Sequence, residues 1–155
     1  MEPDAFDRRI MAELSRDGRL PVTELARRVG LTKTPCQARL KKLEAAGFIR
    51  GYAARLDHRK LGHGYVSFVE VRLSDTREPA LRAFNAAVRA VPEIEECHMI
   101  AGAFDYLLKV RSRDIDGYRR VLGEVISGLP HVASTSTHVS MEAVKDSTDP
   151  GLAPD

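Results

Sequence analysis

Between Thr32 and Arg55 the chain carries the side-chain types that contact nucleic acid, at the spacing one helix face allows. Thr34, Ala38, Lys41 and Lys42 recur three and four residues apart, with Gln37 and Arg39 on the flanks. A glutamine amide pairs bidentately with adenine and a guanidinium with guanine. Small Ala38 can touch a thymine methyl group, and the lysines suit phosphate. Thr32, Lys33 and Thr34 open this segment, where helix N–H groups and the dipole favour a phosphate or simply accept a cap. Arg50 and Arg55 follow as further cations. The alternatives are a merely solvated helix face for the lysines and, for Arg39, an expected ion pair within its own domain with Glu44.

A different chemistry is suggested by Gly102-Ala103-Phe104-Asp105-Tyr106. Glycine permits a tight turn that brings backbone amides close to a small anion such as a carboxylate. Asp105 either accepts an ammonium group or orients the turn. Met99 and Ile100 supply apolar walls, and Ser134, Thr135, Ser136 and Thr137 put one row of hydroxyls on each face of a strand.

Catalysis and metal binding find little support. Cys97 and His98 are adjacent, and neighbours on a strand point to opposite faces, so they make a poor nucleophile and base. Glu95 and Glu96 are expected to diverge in the same way. HExxH, GxSxG and Gly-rich phosphate-loop patterns are missing. The histidines at 58, 63, 98, 131 and 138 lack ligand spacing, and Cys36 and Cys97 are too far apart for a CxxC site. The expectation is a non-enzyme with no metal and no cofactor. No apolar run reaches membrane-spanning length and the first residues lack a signal peptide's apolar stretch, so a cytoplasmic protein is expected.

Charge divides the 155 residues in two. The net +2 combines 14 Lys+Arg against 8 Asp+Glu in residues 1–60 with 10 against 14 in the rest. From Arg19 to Arg55 nine basic residues face only Glu24 and Glu44. A basic first module facing a polyanion and an acidic second module fit that asymmetry, as does a basic face that is merely solvated.

The elements that must position these residues follow from periodicity. Phe6, Ile10, Met11 and Leu14 mark a first helix, with Asp4 or Asp7 at its start. Thr23 is the expected cap of a second helix carrying Leu25, Ala26 and Val29, which Gly30 ends in a left-handed conformation. Thr34 and Pro35 read as cap and first residue of a third, with Cys36, Leu40 and Leu43 inward and Gly47 as stop. Residues 48–57 read as a hairpin turning at Gly51. Together these predict a winged helix-turn-helix over 1–56. A hinge is expected over 57–64, with Gly62 and Gly64. Beyond it the pattern predicts a strand over 65–73 and a helix over 79–91. Strands over 94–101 and 104–110 turn at Gly102-Ala103, and a helix over 115–129 and a strand over 132–144 follow. The order βαββαβ predicts an α+β, ferredoxin-like domain over 65–145, one sheet face covered by its helices and the other free. Residues 146–155, polar and Pro/Gly-rich, are expected to be disordered.

In this order, LARRVGLTKTPCQARLKKLEAAGFIRGY followed by a βαββαβ half with GAFDYLLKV in its central hairpin resembles the leucine-responsive/asparagine regulator (Lrp/AsnC) family of transcription factors. The likeness runs from about Phe6 to Lys145. Within the family, TKTPCQARLKKL, FVEVRLSDTRE and LPHVASTSTHV look most like the regulators that activate proline dehydrogenase in proteobacteria. The resemblance implies sequence-specific DNA binding and a small amino acid effector, with proline the first candidate. It also implies homodimers assembling to tetramers or octamers, with the effector held between dimers near 99–106 and 134–137. Where many relatives have paired arginines this chain has Ala38-Arg39, and Ala103 replaces the polar residue of a Gly-Asp-Tyr-Asp pattern. The competing function is an architectural, nucleoid-associated DNA-binding protein without an effector.

Overall fold

The computed structural model describes residues 1–146, in two compact units, Met1–Ala54 and Arg55 onward. The first unit holds helices α1 (Ala5–Arg16), α2 (Val22–Val29) and α3 (Lys33–Ala45). Ile10, Leu25, Ala26, Val29, Cys36 and Leu43 form its core. Asp4 caps α1 through a reciprocal box with Asp7. Gly30 ends α2 at φ 78°, the left-handed cap expected from its position.

Three boundaries differ from expectation. Helix α2 starts at Val22 behind Pro21, so Thr23 lies inside it and caps nothing. Helix α3 starts at Lys33 with Thr32 as N-cap. Pro35 is then its third residue, tolerated because first-turn N–H groups have no intrahelical acceptor. Residues 48–57 form no strand pair. An isolated two-stranded ribbon is marginal without a third strand or a covering helix, and Gly51 at φ 151° adopts a backbone that side chains resist.

The second unit is built on β1 (Tyr65–Leu73), α4 (Glu78–Arg89), β2 (Ile94–Met99), β3 (Tyr106–Ser112), α5 (Ile115–Arg120) and β4 (Val132–Val139). All strand pairs are antiparallel, in the order β2-β3-β1-β4. Alternation puts Val69, Val71, Leu108 and Val110 under the helices, where they pack with Phe84, Val88, Tyr118 and Ile126. The expected 57–64 hinge contains a folded turn, held by His63 N–H to His58 O at 2.8 Å and by Gly62 at φ 77°. Among the described residues no helix is long and apolar enough to cross a membrane.

Here too the outlines shift. The last helix is α-helical only to Arg120 and continues as a π turn over Val121–Val125 and a 3-10 turn over Ile126–Gly128. Three glycines, 117, 123 and 128, weaken its α-helical preference. Strand β4 stops at Val139, since its partner β1 begins at Tyr65 and the last bond runs from Ser140 N–H to Val66 O. Of the expected tail only Asp146 is described, 3.9 Å from Lys109; residues 147–155 lie outside the described residues.

Candidate nucleic-acid interface and effector region

Helix α3 buries Cys36 and Leu43 and turns Thr34, Gln37, Ala38, Lys41 and Lys42 to solvent. Thr32 and Lys33 are exposed at its start, and the Thr32 side chain caps nothing. The Lys33 and Thr34 N–H groups therefore remain available to an anion, while Pro35 has none and Cys36 N–H bonds Thr32 O at 3.2 Å. Lys33, Lys41, Lys42 and Arg50 form no ion pair with any described residue. The arginines of α2 are different. Glu24 accepts from Arg27 at 2.7 Å and Arg28 at 2.9 Å, and the two hold its carboxyl down to about 2.

Arg39 does not join the exposed face. Its Nη1 donates to Asp4 Oδ2 at 2.6 Å and to Asp7 Oδ1 at 2.9 Å, and its guanidinium lies 5.5 Å from the Phe6 ring centre. The expected pairing with Glu44 is not formed, and the guanidinium expected to read a base is engaged by Asp4 and Asp7. Glu44 instead accepts from the Tyr52 hydroxyl. Asp4 and Asp7 stand at sequence separations of 35 and 32 from Arg39, out of reach of any local pattern.

In the second unit the connection between β2 and β3 spans residues 100–105, not the two-residue turn expected at Gly102-Ala103. It closes through Ile100 N–H to Asp105 O at 2.8 Å and Asp105 N–H to Val71 O at 2.9 Å. Gly102 is not among the residues at positive φ, so its lack of a side chain is not demanded by a left-handed turn. Asp105 Oδ2 accepts from Leu73 N–H at 2.7 Å, tying the loop to the end of β1. Of its two expected roles, orienting the turn is the one this bond performs. Gly102 and Ala103 are exposed, Met99 is 56% exposed and Ile100 half-buried.

Tyr106, expected beside the effector, lies in the core of the second unit. It is 1% exposed, packs at a tilt against Phe84 with ring centres 4.4 Å apart and donates its hydroxyl to Asn85 at 2.8 Å. On β4, Thr135 and Thr137 stand opposite Val71 and Val69 on the helix-covered side, and Thr137 bonds the Tyr118 hydroxyl. Both threonines are half-buried. Ser134 and Ser136 are exposed on the free face. Because β4 and β3 flank β1 on opposite sides, the serines and the 100–105 loop lie two strand spacings apart, roughly 10 Å.

The free sheet face is charged. A register shift between Ile94 and Glu96 makes β2 bulge, so the carboxylates of Glu95 and Glu96 both reach Lys109, at 3.7 and 3.4 Å. The expectation that they diverge fails for that reason. Arg111 pairs with Glu95, and His138 lies 3.2 Å from Glu70. Sequence reasoning also missed a hollow of about 480 Å³ beside β2, lined by Asn85, Val88, Arg89, Cys97 and Met99 among others. Burial raises the pKa of both Cys36 and Cys97, which keeps these thiols protonated. Among the described residues no group of three metal-ligating side chains converges.

Comparison with known proteins settles the family. The model of the Lrp/AsnC ligand binding domain matches residues 66–150, and that of a winged helix-turn-helix DNA-binding domain matches residues 3–50. The chain belongs to the Lrp/AsnC family. It is 60% identical over 149 residues to the proline dehydrogenase transcriptional activator of Rhodobacter capsulatus, covering 96% of this chain and 97% of that one. It is 46% identical over 144 residues to the leucine-responsive regulatory protein of Escherichia coli K12, covering 93% and 88%. Among solved structures, a transcriptional regulator of Neisseria meningitidis in complex with L-Met superposes with a TM-score of 0.87 at 31% identity, covering 92% of each chain. This Lrp/AsnC protein is thus a transcriptional regulator with a helix-turn-helix DNA-binding unit and a ligand-binding unit.

Proposed function

We propose that this regulator binds operator DNA through the exposed face of α3 and responds to proline. The observation that carries the finer reading is the 60% identity, over nearly the whole of both chains, to a proline dehydrogenase transcriptional activator. In this reading Gln37 reads a base edge and Ala38 packs on a thymine methyl. Lys33, Lys41, Lys42 and Arg50 contact phosphates, while Thr32 and Thr34 present the helix N-terminus. The protein acts in the cytoplasm as homodimers that assemble further. The 100–105 loop of one chain and Ser134 and Ser136 of another share the effector. The roughly 10 Å between these groups within one chain supports a contribution from two chains. Effector binding then biases the assembly and with it the spacing of the DNA-binding units.

The test is a gel shift on the gene's own upstream DNA and that of a proline dehydrogenase gene, with each amino acid added in turn. Proline is expected to change the mobility or affinity of the complex. Retardation that ignores every amino acid contradicts the effector reading and favours an architectural role.

A further inference from the structure

The Arg39 contacts reach further than the loss of one base-reading side chain. Every carboxylate oxygen in the cluster is hydrogen-bonded. Asp4 Oδ1 accepts from Phe6 N–H at 2.8 Å and Asp7 N–H at 3.0 Å, and Asp7 Oδ2 accepts from Asp4 N–H at 3.1 Å. Asp4 Oδ2 and Asp7 Oδ1 are left for the same atom, Arg39 Nη1. The Asp7 side chain is only 6% exposed, whereas that of Arg39 is 31% exposed. The box that starts α1 is therefore also the socket that receives α3, two residues from Gln37 and two from Lys41 on the same helix.

We infer that Arg39 is a positioning residue, and that the Asp4–Asp7–Arg39 cluster sets the angle at which α3 meets DNA. The inference rests on the reading that the exposed face of α3 contacts DNA. A guanidinium held by two carboxylates and lying over an aromatic ring has few orientations left, which suits it to fixing a helix. It also has no charge to spare for a phosphate. Aim matters because base-edge bonds need hydrogen-bond geometry, which a small rotation of α3 removes.

Electrostatics and positioning make opposite predictions for Asp7. Removing a negative charge close to DNA should strengthen binding if charge alone acts, and so should releasing Arg39 to contact a phosphate or a guanine. Positioning requires weakening. The experiment measures operator affinity by fluorescence anisotropy, over a range of salt, for Arg39→Gln, Asp7→Asn and the double variant. Circular dichroism confirms folding at the assay temperature. The expected result is about a tenfold loss in each single variant. The double variant should be no weaker, because the residues act as one unit, and the salt slope should be unchanged. Asp4→Asn guards against misfolding, since asparagine caps a helix about as well as aspartate. It should weaken binding in the same direction. The inference is overturned if Asp7→Asn or Asp4→Asn binds as tightly as the parent or tighter. It is equally overturned if Arg39→Gln lowers the salt slope by about one phosphate contact. Unchanged binding in a Lys41→Ala, Lys42→Ala variant would instead sink the DNA-facing reading of α3 itself.

Discussion

Neutralising Lys41 and Lys42 together gives the most quantitative test of the DNA-binding unit. Four of its cations, Lys33, Lys41, Lys42 and Arg50, are exposed and form no ion pair with a described residue. If each meets one phosphate, one unit contributes about −3.6 to the slope of log affinity against log salt, at roughly −0.9 per contact. Removing two lysines should lower that magnitude by about 1.8 per DNA-bound unit. Between 50 and 200 mM salt, two contacts are worth about a tenfold change in affinity, and two such units about a hundredfold. Anisotropy titrations of a labelled duplex at five or six salt concentrations read the slope directly. Helix stability should hardly change, because both side chains are exposed and unpaired. A slope equal to that of the parent would refute the reasoning, even if overall affinity fell.

The other predictions follow from individual contacts. Gln37→Ala should change preference between operators, costing about 1–3 kcal/mol of discrimination at one base pair and leaving the salt slope alone; competition with single-base variants of the site reads it. Asp105→Ala leaves the Leu73 N–H without its acceptor, so unfolding in urea should show a loss of about 1–3 kcal/mol. The same variant should abolish any thermal shift caused by an amino acid, and an unchanged shift contradicts the placement of the effector beside the loop. Gly30→Ala meets no atom within 4 Å but must hold φ 78°, and should cost about 1–2 kcal/mol from backbone strain alone. Glu24 has a folded pKa lowered from 4.5 to about 2 by Arg27 and Arg28. Its stabilising contribution is thus complete above pH 4.5 and lost as pH falls toward 2. Melting temperatures measured across that window should show a shallower acid dependence for Glu24→Gln than for the parent.

What was legible in the sequence depended on range. Strand β1 was readable because Val69, Val71 and Leu73 alternate with Glu70 and Arg72 and their face is buried. Gly30 was readable because a helix that ends in a left-handed residue favours glycine. The exposed face of α3 followed from helical spacing, although Pro35 suggested a later start than Lys33. The contacts that spacing did not reveal share a non-local cause. Arg39 is claimed by carboxylates more than thirty residues earlier, and Tyr106 by Phe84 and Asn85. A bulge put Glu95 and Glu96 on one side where strict alternation would separate them. The length of the loop before β3 depends on Asp105 bonding to β1, a strand more than thirty residues away in sequence. Which face of β4 carries its threonines likewise depends on register with β1, which composition does not specify.

The central claim is that the basic helix-turn-helix unit recognises particular DNA. It is tested most directly by measuring, at one physiological salt concentration, the dissociation constants for the gene's own upstream duplex and for a scrambled duplex of equal length. The account predicts a preference for the upstream site of about 10³-fold or more. Equal affinity for the two duplexes would contradict it.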